Sequence, residues 1–240
     1  MLLIDTLAPQ VDTVNIDRGK WMELANRTYH HGGLREALVE AGVALARTGG
    51  PSAVVLREAG RQVGVSHNAA YRHFRDREDL LAAVAAGCME HLGRLMIERA
   101  AEVELPDPRD AAWARLEAIG RAYVDFALTE HGWFRTAFSG AVAHTAGPAE
   151  ARPGPEAADP EDAGPDAADP DPYAQLALRL DELVEVGALP AERRAGAQYA
   201  AWSAVHGLSA LLVDGPLRQL PEGERQTAVA SVLGAVARGL

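Results

Sequence analysis

The stretch Leu56-Arg57-Glu58-Ala59-Gly60-Arg61-Gln62-Val63-Gly64-Val65-Ser66-His67-Asn68-Ala69-Ala70-Tyr71-Arg72-His73-Phe74-Arg75-Asp76-Arg77-Glu78-Asp79-Leu80-Leu81 decides the fold of this 240-residue chain. Leu56, Ala59 and Val63 recur at helical spacing and stop at Gly64, the residue best suited to a left-handed helix end. Ser66 then offers a side-chain oxygen to cap a second short helix running through Arg72. Asp76 offers the same to a third helix. Asp79 stands three residues on, where a capping box carries an acid, although Glu is the usual one. Two short helices joined by Gly64-Val65 read as a helix-turn-helix.

Outward from this unit most of the chain again reads as helix. Leu34, Leu38, Ala41 and Leu45 predict an amphipathic helix from Gly32 to the breaker Gly49-Gly50-Pro51. The helix opened by Asp76 extends to about Ala101, before Pro106 and Pro108. A helix over 109–129 buries Trp113, Leu116, Ile119, Tyr123 and Phe126, and a shorter one covers 133–142. Residues 145–172 carry Pro, Ala, Gly and acids with no branched apolar residue, the composition of a disordered linker. Helices at 173–187, 190–213 and 222–239 follow, divided by Gly187/Pro190 and Gly215-Pro216. No strand pattern occurs, so the expected class is all-α. The expected division is a flexible arm at 1–28, a helix-turn-helix domain at 29–80 and a larger helical domain at 81–240, interrupted by the acidic linker.

Composition narrows the function. The net charge of −11 is unevenly spread. Between Glu150 and Pro172 eight acids face Arg152 alone, whereas between Thr28 and Arg77 seven arginines face Glu36, Glu40, Glu58 and Asp76, a local +3. Local charge decides whether a surface attracts phosphate. The single cysteine, Cys88, excludes an intramolecular disulfide and a cysteine-based zinc site, and it reads as a buried, inert thiol. The eight histidines are scattered, so no metal site and no cofactor is expected. No nucleophile-base-acid arrangement suggests an enzyme. No run of 18 uncharged apolar residues predicts a membrane span, and the first 20 residues lack a signal-peptide pattern. The expectation is a cytoplasmic protein without a membrane partner.

In a helix-turn-helix the first helix braces the second, whose N-terminal residues enter the major groove of double-stranded DNA. A glycine-containing turn alone is weakly diagnostic. Here the whole run to Leu81 resembles the DNA-binding domain of the TetR family of bacterial repressors. Trp202-Ser203-Ala204-Val205-His206-Gly207 and Tyr29-His30-His31-Gly32-Gly33-Leu34-Arg35 resemble one branch of it. The expected DNA-binding set is Ser66, His67, Asn68, Ala69, Tyr71, Arg72, His73 and Arg77. Asn68 can pair bidentately with adenine and the Ala69 methyl can pack on thymine. The resemblance implies phosphate contacts from Tyr71 and His73, and Arg77 adds charge at a helix N-terminus. Two features depart from the family pattern. Val55 stands where Ser or Thr caps the first short helix, and Gly60 lies inside that helix.

The helix at 190–213 is apolar nearly all round, so it must be covered twice. The resemblance implies that it pairs with the last helix and their symmetry mates in a homodimer, with Val205, Leu208, Leu212, Val229, Leu233 and Val236 at the interface and a palindromic operator as partner. Trp113, Tyr123, Phe126, Phe134, Phe138, Trp202 and His206 concentrate rings in a region otherwise built from Ala and Leu, the expected lining of a site for a small, largely apolar effector. The expected function is a repressor released from DNA by that ligand. The alternatives are a DNA-binding regulator without an inducer, and a helical enzyme or lipid-binding module that reuses the hairpin.

Overall fold

The computed structural model describes residues 33–140 and 170–240. The arm expected at 1–28, and the linker expected at 145–172 except its last three residues, lie outside the described residues. The helices are α1 (Gly33–Gly49), α2 (Leu56–Val63), α3 (His67–Ala70), α4 (Arg77–Ala101), α5 (Pro108–Thr129), α6 (His131–Ala137), α7 (Pro172–Glu185), α8 (Arg194–Val213) and α9 (Glu222–Gly239). Short 3-10 turns at Gly50–Ala53 and Ala191–Arg193 complete them, and no strand occurs among the described residues.

Local chemistry sets the boundaries. The Ser66 hydroxyl accepts from the Ala69 N–H at 3.3 Å. The Asp76 carboxylate accepts from the Asp79 N–H at 2.8 Å, and Asp79 reaches back to the Arg75 N–H at 3.0 Å. Asp79 thus closes a reciprocal cap at the Arg75 amide, one residue before the N-cap amide that a capping-box acid bonds. Asp107-Pro108 and Asp171-Pro172 start α5 and α7 in the same manner, with an aspartate cap and proline where no N–H is needed. Gly64 ends α2 at φ +78°, in the left-handed region. Val55 caps α2 without a side-chain bond, as its hydrocarbon requires.

Three boundaries differ from the sequence reading. Helix α3 stops at Ala70, not Arg72, because Arg72 and His73 bond three residues back to Ala69 and Ala70 and wind into turns. Helix α6 runs over His131–Ala137 where 133–142 was expected, because the backbone breaks at Glu130 (φ −115°, ψ 52°) and restarts at once. Helix α8 begins at Arg194, after the 3-10 turn that Pro190 leads into.

Two cores share one long helix. Leu38, Val54, Leu56, Phe74, Leu80 and Val84 bury the N-terminal unit. Leu92, Met96, Ile119, Tyr123, Leu180, Leu183 and Leu208 belong to the second core. Helix α4 passes from the first to the second between Cys88 and Leu92. Each of its fully buried leucines contributes about 1.5–3 kcal/mol. By length and composition α4 could cross a membrane, yet nine of its residues face the protein interior, which is how its apolarity is used. Burial pushes the Cys88 thiol up to about 12, so it stays protonated.

Candidate functional site

The short α3 projects from the first core through Ala70, which is fully buried, so its opposite face must point outward. Ser66, His67 and Asn68 are exposed there and Ala69 is half-buried. Tyr71, 46% exposed, packs its ring against His67 at 4.4 Å between centroids, with Arg72 exposed and His73 half-buried beside it. Phe74 anchors the turn in the core at 1% exposure, and the Arg35 guanidinium lies 4.8 Å above its ring. Sequence reasoning missed Arg35, whose approach to Phe74 spans 39 positions in the chain and so leaves no local pattern. Arg77 is engaged in the protein itself, donating to the Pro51 carbonyl, with 38% of its side chain exposed. A Cβ on Gly60 would stand 3.6–3.7 Å from Ala70 and Val65, an ordinary contact distance, so nothing in the packing requires glycine inside α2.

Helix α6 joins the two cores. A Cβ on Gly132 would stand 2.1 Å from the Ala46 carbonyl oxygen and 2.2 Å from that of Arg47, so only glycine permits this contact with the end of α1. Trp133 Nε1–H donates to the Val43 carbonyl at 2.8 Å. The His91 ring stacks on its indole at 4.6 Å, and the Arg47 guanidinium lies 5.0 Å from the same ring. Arg47 in turn pairs with Glu130 through two nitrogens. The expected effector residue Phe126 belongs to this joint, stacked on Trp133 at 6.2 Å.

The remaining expected effector residues divide. Tyr123 shares a 2.8 Å hydrogen bond with His206 Nδ1, and burial holds its phenol well above the ordinary value, so it stays protonated. Phe134, Phe138 and Trp202 surround that pair at centroid distances of 4.6–6.4 Å from one another or from its rings. This cluster is packed ring on ring. A cavity of about 470 Å³ lies against it, bounded by α5, α8 and α9 with Met96 and Leu176 behind. Trp113, Tyr123 and Trp202 line the cavity; Phe126, Phe134, Phe138 and His206 do not. Asp110, Glu117 and Arg121 also line it, which no apolar pattern could have singled out.

Five of the six residues expected at a subunit interface are buried within the chain. Val205, Leu208, Leu212, Val229 and Leu233 are all buried, and Val236 is half-buried. Val205, Leu233 and Val236 wall the cavity instead. The periodicity had located two apolar sides of α8 but could not say which side its own domain takes. The face left to solvent carries Tyr199 (65% exposed), Ser203, Ala210 and Leu211 (43%), with Gly207 open above it.

Comparison with known proteins bears on this architecture. The family model of bacterial regulatory proteins of the tetR family matches residues 38–84, and that of the tetracyclin repressor-like C-terminal domain matches residues 116–236. The chain belongs to the TetR family: it is a DNA-binding transcriptional regulator, not an enzyme. No curated protein matches the sequence. Among solved structures, a protein with unknown function from Rhodococcus sp. RHA1 is 27% identical, with TM-score 0.60 over 89% of this chain and 98% of that one. A TetR-family transcriptional regulator from Pectobacterium atrosepticum is 16% identical, with TM-score 0.58 over 87% and 93%. A TetR variant from Acinetobacter baumannii AYE in complex with minocycline is 16% identical, with TM-score 0.54 over 88% and 96%. At such identities the last two share the fold.

Proposed function

We propose that the chain is a cytoplasmic homodimeric repressor that leaves a palindromic operator when a small, largely apolar molecule enters the cavity between α5, α8 and α9. The expected division into a DNA-reading unit and a larger ligand-binding and dimerisation domain goes with this reading. His67, Asn68 and Ala69 read bases. Ser66, Tyr71, Arg72 and His73 hold the backbone, with Arg77 joining them if it leaves the Pro51 carbonyl. Both sets point away from the first core, and two copies related by a two-fold axis would present them to successive major grooves.

One observation carries the regulatory part. Phe134 of α6 and Phe138, the residue that ends it, pack on the Tyr123–His206 pair that backs the cavity, while their neighbour Trp133 holds the backbone of α1. A ligand that moves the ring cluster therefore moves α6 against the DNA-reading unit, and α4, embedded in both cores, moves with it. By linkage, the ligand must prefer the arrangement that does not bind DNA, and DNA must weaken the ligand by the same factor.

The test uses fluorescent operator DNA obtained by selection from a random pool, with release scored against a library of apolar compounds. A compound that releases DNA from the protein should fail on Ala114→Leu, which narrows the cavity at a half-buried position. Operator affinity of that variant without compound should be unchanged. Release that persists in Ala114→Leu would move the effector site elsewhere.

A further inference from the structure

We propose that the joint between the two cores is a proton-operated latch, in which His91, once protonated, draws Glu130 away from Arg47 and frees α1 from α6.

The joint is assembled from several elements. Trp133 of α6 donates to the Val43 carbonyl of α1, and the Arg47 guanidinium of α1 lies 5.0 Å from its ring. Glu130, at the break between α5 and α6, holds Arg47 there: one oxygen accepts from Nε at 2.8 Å, the other from a terminal nitrogen at 2.5 Å. The imidazole of His91 is stacked on the same indole at 4.6 Å and within 7° of parallel. His91 stands on α4 where that helix passes from the first core to the second, one residue before Leu92.

The charged neighbours of His91 decide what a proton does there. On its own helix these are Glu90 and Arg94, across the joint they are Arg47 and Glu130, and Trp133 brings none. Neither imidazole nitrogen has a hydrogen-bond partner among the described residues. Glu90 pairs with Arg94, and consecutive positions on a helix do not face each other, so Glu90 is poorly placed to serve His91. Glu130 acts on the imidazole from the far side of the joint, and Arg47 already engages both of its oxygens. A neutral imidazole packs on indole as an apolar ring. Burial first, then Arg94, holds the group below its ordinary range, so it is neutral near pH 7. Acid forces the charge in. An imidazolium in this place stands near two guanidiniums with no acceptor of its own, a costly arrangement that Glu130 relieves by changing partner. The carboxylate then bonds α4 instead of α1, and Arg47 loses what keeps it beside the indole. A proton thus disconnects the DNA-reading unit from α6 without anything entering the cavity.

The full chain, His91→Gln and Glu130→Gln are compared at pH 7.5 and 5.5 by the nuclear magnetic resonance shifts of the Trp133 and Arg47 side-chain N–H groups. In the protein both should move together with the carbon-bound protons of the His91 ring. In His91→Gln both should stay fixed, and in Glu130→Gln they should show the unlatched positions at both pH values. Hydrogen exchange supplies a second readout, compared between proteins at one pH so that the intrinsic effect of acid cancels. At pH 5.5 the end of α1 and the whole of α6 should exchange about threefold or more faster in the protein than in His91→Gln, and at pH 7.5 at equal rates; one linked proton permits at most about tenfold per pH unit. Resonances that move equally in His91→Gln overturn the proposal, because another group is then titrating. Resonances that stay fixed while the His91 ring titrates overturn it as well. So does a Glu130→Gln variant that still follows pH as the protein does, or equal exchange in the protein and His91→Gln at pH 5.5.

Discussion

The indole Nε1–H of Trp133 donates to the backbone carbonyl of Val43 at 2.8 Å, joining a helix of the regulatory half to the first helix of the DNA-reading half. The same ring stacks on His91 and lies under the Arg47 guanidinium. Trp133→Phe keeps an aromatic ring there but removes the donor together with part of the indole's packing surface. Stability in urea should fall by more than the about 0.5–1.5 kcal/mol that one hydrogen bond is worth. Operator affinity without effector should hold, while the drop in affinity caused by effector should shrink. An undiminished drop would mean that coupling bypasses α6 and travels through α4 alone.

Gly132→Ala tests the same joint by force. The added methyl would meet two carbonyl oxygens of α1 at 2.1 and 2.2 Å, and neither belongs to a side chain that can rotate away. The cost should be about 1–3 kcal/mol, as for overpacking elsewhere, and it should appear as earlier thermal unfolding. Gly223→Ala, in the first turn of α9, is the control. Nothing lies within 4 Å of its Cβ position, so the substitution should cost nothing. Equal effects from the two would remove the packing explanation.

The contrast between these glycines shows which features the sequence could convey. Helix starts were legible because Ser66, Asp76 and Pro108 act on neighbours a few residues away. The outward side of α3 was legible too, since the buried Phe74 and Ala70 fix its inward face. The joint was not. Gly132 and Trp133 owe their roles to Ala46 and Val43, more than 80 positions distant. The aromatic residues of the regulatory half likewise looked alike in sequence, yet packing sends Phe126 to the joint, Phe134 and Phe138 into a closed ring cluster, and Trp113 to the cavity. Which apolar side of α8 is covered by its own chain is again a tertiary fact.

His91 should make the joint sensitive to acid. Burial holds its imidazole below the ordinary 6.5, with Arg94 and Arg47 acting the same way and Glu90 and Glu130 opposing them. In the unfolded chain the residue titrates near 6.5, so below that pH the unfolded state binds the extra proton first. The stability contributed by neutral His91 is therefore complete above about pH 6.5 and is lost as the pH falls toward the lower folded value. Urea midpoints of the protein and of His91→Gln, compared between pH 8 and 5.5, should converge as the pH drops. Parallel curves would show that His91 does not govern this window.

DNA contacts should separate into two kinds. Tyr71→Phe combined with His73→Ala removes polar atoms at the surface, so binding should weaken alike on all sequences while the fold persists. Asn68→Ala should instead change the preferred base, with about 1–3 kcal/mol at stake for a bidentate contact. Selection from a random DNA pool checks both. An unaltered motif for Asn68→Ala would remove that residue from base reading.

The subunit interface is the last point at issue, because the structure turns the expected residues inward. Val205, Leu208 and Leu212 face α8's own domain, so replacing them would damage folding and reveal nothing about association. The solvent side of the same helix is the better candidate. Tyr199, Ser203, Ala210 and Leu211 recur there at helical spacing, and Gly207 and the small side chains between the larger ones let a second backbone come close. Leu211 at 43% exposure and Tyr199 at 65% also leave apolar surface that a partner would remove from water. Ser203→Arg with Leu211→Arg places two charges on that face without touching either core. In sedimentation velocity the protein should run as a dimer and the double variant as a monomer with unchanged helical circular dichroism. Operator affinity should fall with dimerisation, since one copy can occupy only one half-site. A variant that remains dimeric would move the interface away from the outer face of α8.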